Sequence, residues 1–180
     1  MEELINIADE KGNRIGEIEK MEAHMRGVLH EAFSIFIFND AKQLLLQRRA
    51  QHKYHSGGLW TNTCCSHARV GEELESAAHR RLEEEMGFDT GLEEVGTFIY
   101  KTDEVGNSLI EHEFDHIFFG YADSNILIAP DPDEVSDWKW MDVDDIRKDI
   151  AENPGNHTAW FKMIVHSEYM KLNRKLPIKS

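Results

Sequence analysis

The segment that most restricts the fold is residues 32–38, where Ser34 is the only polar residue. Successive side chains of a β-strand point to opposite faces of the sheet, and here both faces are apolar. The apolar side chains divide as Phe33, Ile35 and Ile37 against Ala32, Phe36 and Phe38. Such a strand is stable only where other layers cover both sides of the sheet. The segment therefore predicts a sheet buried between two layers.

Apolar periodicity elsewhere predicts strands interleaved with helices. Further strands are predicted over residues 3–7, 14–18, 43–47, 95–101, 109–121 and 138–141. Helices are predicted over residues 71–86, 143–152 and about 157–172. Gly87 is suited to end the first of these helices, and Asp142 can cap the second. The chain length of 180 residues fits one domain. We therefore expect a single α/β (α+β) domain over residues 1–180, a mixed sheet flanked by helices, with an N-terminal hairpin extension over about residues 1–25.

Charge and composition exclude several classes of partner. The chain has 34 acidic and 20 basic residues, a formal net charge of −14. A net field of that sign repels nucleic acid and anionic membrane, so we expect neither as a partner. The N-terminus carries no secretion signal, and no apolar run approaches the length of a membrane span. The two cysteines are adjacent and poorly placed to form a disulfide with each other. These features predict a cytoplasmic protein.

Two segments carry residues suited to chemistry. In residues 60–67, the thiol of Cys65 lies two positions before the imidazole of His67, just ahead of the helix predicted over residues 71–86. A thiol near a helix N-terminus or a cation is a candidate nucleophile or base, although both cysteines can equally be small core residues. In the strand at residues 111–116, Glu111, Glu113 and Asp115 share one face. A divalent cation would offset their repulsion, and a solvated sheet face is the alternative.

Histidine and basic residues complete the candidate set. His24, His30 and His67 offer imidazoles which, with carboxylates, suit zinc, manganese or iron. The basic residues near these segments are Lys20, Arg48, Arg49, Lys53, Arg80 and Arg81. They can bind a diphosphate, or the two helical arginines can simply pair with glutamates four residues later.

The stretch at residues 57–67, GGLWTNTCCSH, followed by Gly71-Glu72 and by RRLEEEMG at residues 80–87, resembles type I isopentenyl-diphosphate isomerase, of the Nudix superfamily. The resemblance covers nearly the whole chain and implies a Nudix-type α/β/α sandwich. The sequence departs from the Nudix signature at two positions. Ser66 replaces the first glycine, and Arg81 replaces a glutamate with which the hydrolases of the superfamily help to hold magnesium. The second departure counts against hydrolysis.

The resemblance also implies the site residues. A divalent transition metal, Mn²⁺ or Zn²⁺, would be bound by His24, His30, His67, Glu111 and Glu113. Mg²⁺ carried with the diphosphate would use Glu85 and the backbone carbonyl of Cys65. The diphosphate would be neutralised by Lys20, Arg49, Lys53 and Arg81. The loop from His24 to His30 is shorter than in the family, which makes His24 the weakest assignment.

The implied reaction interconverts isopentenyl and dimethylallyl diphosphate through a tertiary carbocation, as a step of isoprenoid biosynthesis. Cys65 and Glu113 would exchange the protons, Tyr100 would hydrogen-bond to Glu113, and Trp160 would stabilise the cation. Either of the first two can be the acid in the forward direction, and we favour Glu113 with Tyr100 as donor and Cys65 as acceptor. A Nudix diphosphohydrolase and a metal-dependent binding module are the alternatives. We expect a monomer or weak dimer acting on a small molecule, with activity that falls in acid as the three histidines protonate and release metal.

Overall fold

A computed structural model of the chain describes residues 3–103 and 107–170. The strands are β1 (Leu4–Ala8), β2 (Arg14–Glu19), β3 (His30–Phe38), β4 (Leu44–Arg49), β5 (Trp60–Thr61), β6 (Cys64–Ser66), β7 (Leu92–Thr102), β8 (Glu111–Tyr121) and β9 (Val135–Met141). The helices are α1 (Lys20–Arg26), α2 (Leu74–Met86), α3 (Val143–Glu152) and α4 (Ala159–Val165), with a 3₁₀ turn over Pro154–Asn156. Strands and helices interleave, as the sequence predicts.

Strand β3 is the centre of the mixed sheet. It runs parallel to β8 along its whole length and antiparallel to β6, and it touches β1 and β4 only at its ends. β7 extends the sheet beyond β8, and β4 pairs chiefly with β9 and β5. Of the strand predicted over residues 43–47, only Leu44 pairs with β3, opposite Phe38. The parallel register of β3 and β8 places His30 opposite Glu113.

Both faces of β3 are covered, which confirms the two-sided burial predicted from its sequence. On one face Phe33, Ile35 and Ile37 pack in a core cluster with the apolar residues of α2. On the other face Phe36 and Phe38 pack in a second cluster with α3 and α4. Burying large apolar side chains stabilises the fold by about 1.5–3 kcal/mol each. The sheet is therefore the middle layer of an α/β/α arrangement, and its parallel pair β3–β8 is fixed from both sides.

Three sequence-based expectations about helices need correction. Residues 20–26 form α1, so the N-terminal segment is a hairpin followed by a helix rather than a hairpin alone. The last helix, predicted over residues 157–172, is only α4, preceded by the 3₁₀ turn; residues 171–172 lie outside the described part of the chain. Asp142 stands at the N-cap of α3 without a side-chain capping hydrogen bond. Among the described helices, none combines the length and apolar character needed to cross a bilayer.

Candidate active site

Four elements bring histidine and glutamate side chains to one end of the β3–β8 pair. His24 comes from α1, His30 begins β3, His67 follows β6, and Glu113 lies on β8 opposite His30. All four side chains are buried, and one ligand atom from each lies within 4.8 Å of the others. A second group, formed by His24, His55 and Glu111, meets the same distance criterion. The two groups together contain all five metal ligands implied by the resemblance, His24 included.

Backbone carbonyls decide which imidazole nitrogens face the carboxylates. Nδ1 of His24 donates to the carbonyl of Lys20 at 2.7 Å, and Nδ1 of His30 donates to that of Val28 at 2.8 Å. Nε2 of each ring is left to face the site, and in the neutral ring this nitrogen carries a lone pair. For His24 this lone pair lies 3.3 Å from Oε1 of Glu111, a repulsive contact unless a proton or a metal ion intervenes. Ligating histidines in metalloproteins have this same arrangement, with the second nitrogen held by an acceptor.

The spacing of the donor atoms also fits an ion. Nε2 of His67 lies 3.1 Å from Nε2 of His30 and 3.1 Å from Oε1 of Glu113. Ligands about 2.1 Å from one metal and at right angles to each other are about 3 Å apart. Imidazole and carboxylate together suit divalent transition metals. The residues present therefore fit a divalent metal.

The pKa values of three histidines in the site shift in different directions. Burial opposes protonation of His24, yet the Glu111 carboxylate outweighs burial and raises the pKa of His24. Burial lowers the pKa of His67 to about 3 and also lowers the pKa of His55. His67 and His55 are therefore neutral at physiological pH, the state in which imidazole binds metals.

The acidic face of β8 is not solvated, so the alternative of an exposed sheet face is wrong. Glu111, Glu113 and Asp115 are all buried. Burial and the neighbouring Glu113 raise the pKa of Asp115 well above its usual value, and its Oδ2 accepts a hydrogen bond from Ser34 at 2.7 Å. Burial and Glu113 thus favour the neutral form of the Asp115 carboxyl group. The two glutamates are left to supply negative charge to the histidine cluster.

Glu113 connects the histidine cluster to Tyr100. Its Oε1 faces His67, while its Oε2 accepts a hydrogen bond of 2.6 Å from the Tyr100 hydroxyl. Burial would raise the pKa of Glu113, but contacts with His30 and His67 outweigh burial and hold that pKa well below its usual value. Burial raises the pKa of Tyr100 well above its usual value. An ionised carboxylate and a neutral phenol therefore stand side by side.

The thiol of Cys65 is held by two polar side chains. It donates to Oδ1 of Asn62 at 2.9 Å, and its sulfur accepts a hydrogen bond from Nε1 of Trp160 at 3.2 Å. Burial raises the pKa of the thiol to about 12, so Cys65 is protonated at neutral pH. Cys64 points instead into the core that faces α2, which fits the core-residue alternative for this second cysteine only.

The basic residues expected to bind the diphosphate reach the same space. One cavity contains the thiol, Glu113, Tyr100 and Trp160 together with four cationic side chains. The cationic residues that line it are Lys20, Arg49, Lys53 and Arg81. Arg81 pairs with Glu85 at 2.6 Å, so the helical pairing proposed as an alternative is present, although both residues line the cavity. Arg80 pairs with Glu84 at 3.0 Å and does not line the cavity.

His55 is the site residue that sequence reasoning missed. It lies in the irregular segment between β4 and β5, is buried, and places Nε2 2.7 Å from Oε1 of Glu111. It also lines the cavity. No periodicity or spacing marks it. The only sequence signal was its position two residues after Lys53, inside a stretch already rich in site candidates.

Comparison with known proteins agrees with this geometry. A model of the NUDIX domain matches residues 28–161. An isopentenyl-diphosphate Delta-isomerase 2 of Photorhabdus laumondii is 51% identical over 166 residues, which cover 92% of this chain and 92% of that protein. An isopentenyl-diphosphate Delta-isomerase 2 of Aromatoleum aromaticum is 50% identical over 160 residues, covering 89% of this chain and 83% of that protein. The chain belongs to the isopentenyl-diphosphate isomerase family of Nudix proteins.

The fold of this family member is shared more widely. The crystal structure of DR0079 from Deinococcus radiodurans superposes with a TM-score of 0.74 at 16% identity, covering 91% of this chain and 97% of the other. This likeness concerns the fold alone. Nudix proteins generally bind divalent metals, and the His/Glu cluster provides this family member with a group of side chains that could hold one.

Proposed function

We propose that the chain interconverts isopentenyl diphosphate and dimethylallyl diphosphate and so acts in isoprenoid biosynthesis. The proposal rests on family membership together with one observation. A single cavity is lined by a protonated thiol, an ionised carboxylate and an indole, with cationic side chains beside them. A proton donor, a proton acceptor and an aromatic face next to an anion-binding region are what the reaction requires.

The reaction adds one proton to the terminal carbon of an alkene and removes one from the internal carbon, so the protons of the substrate balance. The donor must then regain a proton and the acceptor lose one before the next turnover. An unactivated alkene is a very weak base, and its protonation gives a tertiary carbocation that water would capture. The acid must therefore act in a cavity from which water is excluded. Tyr100 and Glu113 are buried and Cys65 is partly buried, which supports this cavity as that environment.

Cys65 and Glu113 divide the two proton transfers between them. With the pKa directions above, Cys65 holds a proton and Glu113 does not. This state supports Cys65 as the donor to the terminal carbon and Glu113 as the acceptor from the internal carbon, the reverse of the assignment favoured from sequence. Tyr100 donates to Oε2 of Glu113 and so orients the carboxylate, and in the reverse reaction it supports the return of the proton.

Trp160 is suited to stabilise the carbocation. It lines the cavity, and its indole N–H donates a hydrogen bond to the sulfur of Cys65, which fixes the orientation of the ring. The guanidinium carbon of Arg49 lies 5.6 Å from the ring centroid, so this indole already contacts one cation. Such contacts contribute about 2 kcal/mol or more when both partners are desolvated.

Lys20, Arg49, Lys53 and Arg81 are proposed to bind the diphosphate, since ammonium and guanidinium groups recognise phosphate oxygens. Mg²⁺ carried with the substrate would use Glu85 and the carbonyl of Cys65, because Mg²⁺ prefers oxygen ligands. A transition metal, Mn²⁺ or Zn²⁺, would be held by His24, His30, His67, Glu111 and Glu113. When bound, it supplies positive charge that keeps Glu113 ionised and fixed. We further propose one domain acting as a monomer or weak dimer in the cytoplasm.

The test is to incubate the purified chain with isopentenyl diphosphate, Mg²⁺ and Mn²⁺ or Zn²⁺, and to follow the dimethylallyl isomer by ¹H NMR. We expect conversion by the native chain and its loss in Cys65→Ala, with the fold of the variant checked by circular dichroism. Absence of the isomer, with phosphate released from nucleoside diphosphate compounds instead, would favour a Nudix hydrolase. Ligand binding that is unchanged by Cys65→Ser, without turnover, would favour a binding module.

A further inference from the structure

His55 contacts the metal cluster but differs from His24, the assigned histidine that faces the same carboxylate. Its side chain is 5% exposed, and Nε2 lies 2.7 Å from Oε1 of Glu111, closer than the 3.3 Å that separates His24 from the same oxygen. Its ring meets Tyr54 and Trp160 edge-on, with centroid distances of 4.4 and 5.8 Å. Aromatic contacts of this kind restrict how the imidazole can rotate.

The position of the proton separates His55 from His24. For His24 the backbone carbonyl of Lys20 holds the proton on Nδ1. Nδ1 of His55 is buried and has no hydrogen-bond partner among the described residues. With its proton on Nδ1, His55 would have a buried donor without an acceptor. The lone pair on Nε2 would also face the Glu111 carboxylate, which is a repulsive contact. Nε2 of His55 therefore carries a proton and donates it to Oε1 of Glu111.

We propose that His55 is a positioning residue of the metal centre, whose Nε2–H donates to Glu111 and holds that carboxylate in place to bind the ion. The proposal rests on the metal site in the proposed function. A carboxylate that is already held loses less conformational freedom when it binds metal. Residues that hydrogen-bond to metal ligands typically contribute about 10- to 100-fold in metal affinity.

The backbone ties this contact to the substrate side of the cavity. Nη2 of Arg49, one of the residues proposed to bind the diphosphate, donates to the backbone carbonyl of His55 at 3.3 Å. Two hydrogen bonds therefore hold His55, one from its side chain to Glu111 and one from Arg49 to its backbone carbonyl. His55 therefore lies between the metal centre and the anion-binding side chains.

The experiment measures the dissociation constant for Zn²⁺ by competition with a chromophoric chelator, using the metal-depleted full chain. For His55→Ala we expect Zn²⁺ binding to weaken about 10- to 100-fold. For His55→Gln we expect most of the affinity to return, because the glutamine amide can donate a hydrogen bond to Glu111 but is a poor metal ligand. His52→Ala is the matched control, since His52 is an exposed histidine three residues away, with 65% of its side chain accessible.

Two results would overturn the proposal. Unchanged Zn²⁺ affinity in His55→Ala would show that Glu111 needs no such partner. Equal weakening in His55→Ala and His55→Gln would show that the imidazole itself binds the metal, and Co²⁺ absorption spectra of the two variants would then differ from the native spectrum. Isomerase assays of the native chain separate this inference from the proposed function. A chain whose Zn²⁺ affinity depends on His55 as expected, but which forms no dimethylallyl diphosphate, contradicts only the function.

Discussion

The two ends of the cavity hold their charges in opposite ways. At the histidine end, Nε2 of His30 and Nε2 of His67 lie 3.6 Å and 3.1 Å from the same Oε1 of Glu113. Nε2 of His30 is an acceptor in the neutral ring, because Nδ1 donates to the carbonyl of Val28. At the other end the charges are already paired. Arg81 contacts Glu85 at 2.6 Å and Glu134 at 3.3 Å. One end therefore gathers imidazoles around two carboxylates, and the other has its cations matched by carboxylates.

The difference indicates how each end meets its ligand. A metal ion would bind the histidine end without breaking an ion pair with arginine or lysine. A diphosphate entering the other end must share or replace the carboxylates that pair with Arg81 and Lys53. Binding there exchanges one set of ion pairs for another, so its net free energy is smaller than the number of contacts suggests.

The largest effect is expected from Glu113→Gln, which removes one of the two glutamate carboxylates at the histidine end of the cavity. It removes a proposed metal ligand and the proposed proton acceptor together, while keeping the shape of the side chain. We expect the turnover of isopentenyl diphosphate to fall by about 10²- to 10⁴-fold, together with a loss of bound metal measured by elemental analysis. Tyr100→Phe is the control, because it removes only the hydroxyl that donates to Glu113 and should cost less. Turnover within tenfold of the native rate in Glu113→Gln would contradict the assignment.

A matched pair of arginines on α2 probes the other end. Arg81 lines the cavity, whereas its neighbour Arg80 pairs with Glu72 and Glu84 away from it. Arg81→Gln should raise KM for isopentenyl diphosphate roughly 10- to 100-fold, since hydrogen bonds to charged groups contribute about 1.5–3 kcal/mol. It should also lower stability, because Glu85 is left buried without its cation. Arg80→Gln should leave KM unchanged and lower the free energy of unfolding by about 1 kcal/mol or less.

Steady-state kinetics and urea unfolding of the two variants distinguish these outcomes. Equal KM values for Arg80→Gln and Arg81→Gln would show that lining the cavity does not confer diphosphate binding.

The sequence predicted the elements with strong periodicity and missed those without it. Residues 32–38 could be assigned because both faces of β3 are apolar, and the structure covers both. In contrast, α1 is short and buries only Ala23 and His24, so its sequence has no apolar stripe from which a helix could be predicted. The last helix was predicted too long because its apolar pattern continues beyond Val165, where the helix ends.

The site likewise contains residues that a local sequence pattern predicts and residues that it does not. Alternation along β8 placed Glu111 and Glu113 on one face, and the parallel register with β3 then brings Glu113 opposite His30. That register is a long-range property which no local pattern contains. His55 lies in an irregular segment, where side-chain direction follows from tertiary contacts rather than from a repeat, so no sequence rule could have assigned it.

The smallest effect is expected from acid, and it again concerns the histidine end. The pKa of His67 is lowered by burial to about 3, against about 6.5 for a free histidine. Between these values the unfolded chain binds a proton that the folded chain does not, so stability falls as pH falls from about 6.5 towards 3. Glu113 acts in the same direction, since its lowered pKa gives stability that is lost when the carboxylate protonates in acid. The raised pKa of His24 acts oppositely, giving stability that is lost as pH rises through its folded pKa, so His24 and His67 do not titrate together.

Thermal unfolding of the metal-depleted chain from pH 8 to pH 4 should therefore show a falling Tm below about pH 6.5, with a flatter profile in His67→Asn. Addition of Zn²⁺ should raise Tm at neutral pH and lose its effect in acid, because protons and metal compete for the same imidazole nitrogens. The end of the cavity lined by Arg81 and Lys53 should contribute only below about pH 4.5. Burial opposes ionisation of Glu134 there, but Lys53 and Arg81 outweigh burial and lower the pKa of Glu134. A Tm that is flat between pH 6.5 and pH 4, or equally steep in His67→Asn, would locate the acid sensitivity elsewhere in the molecule.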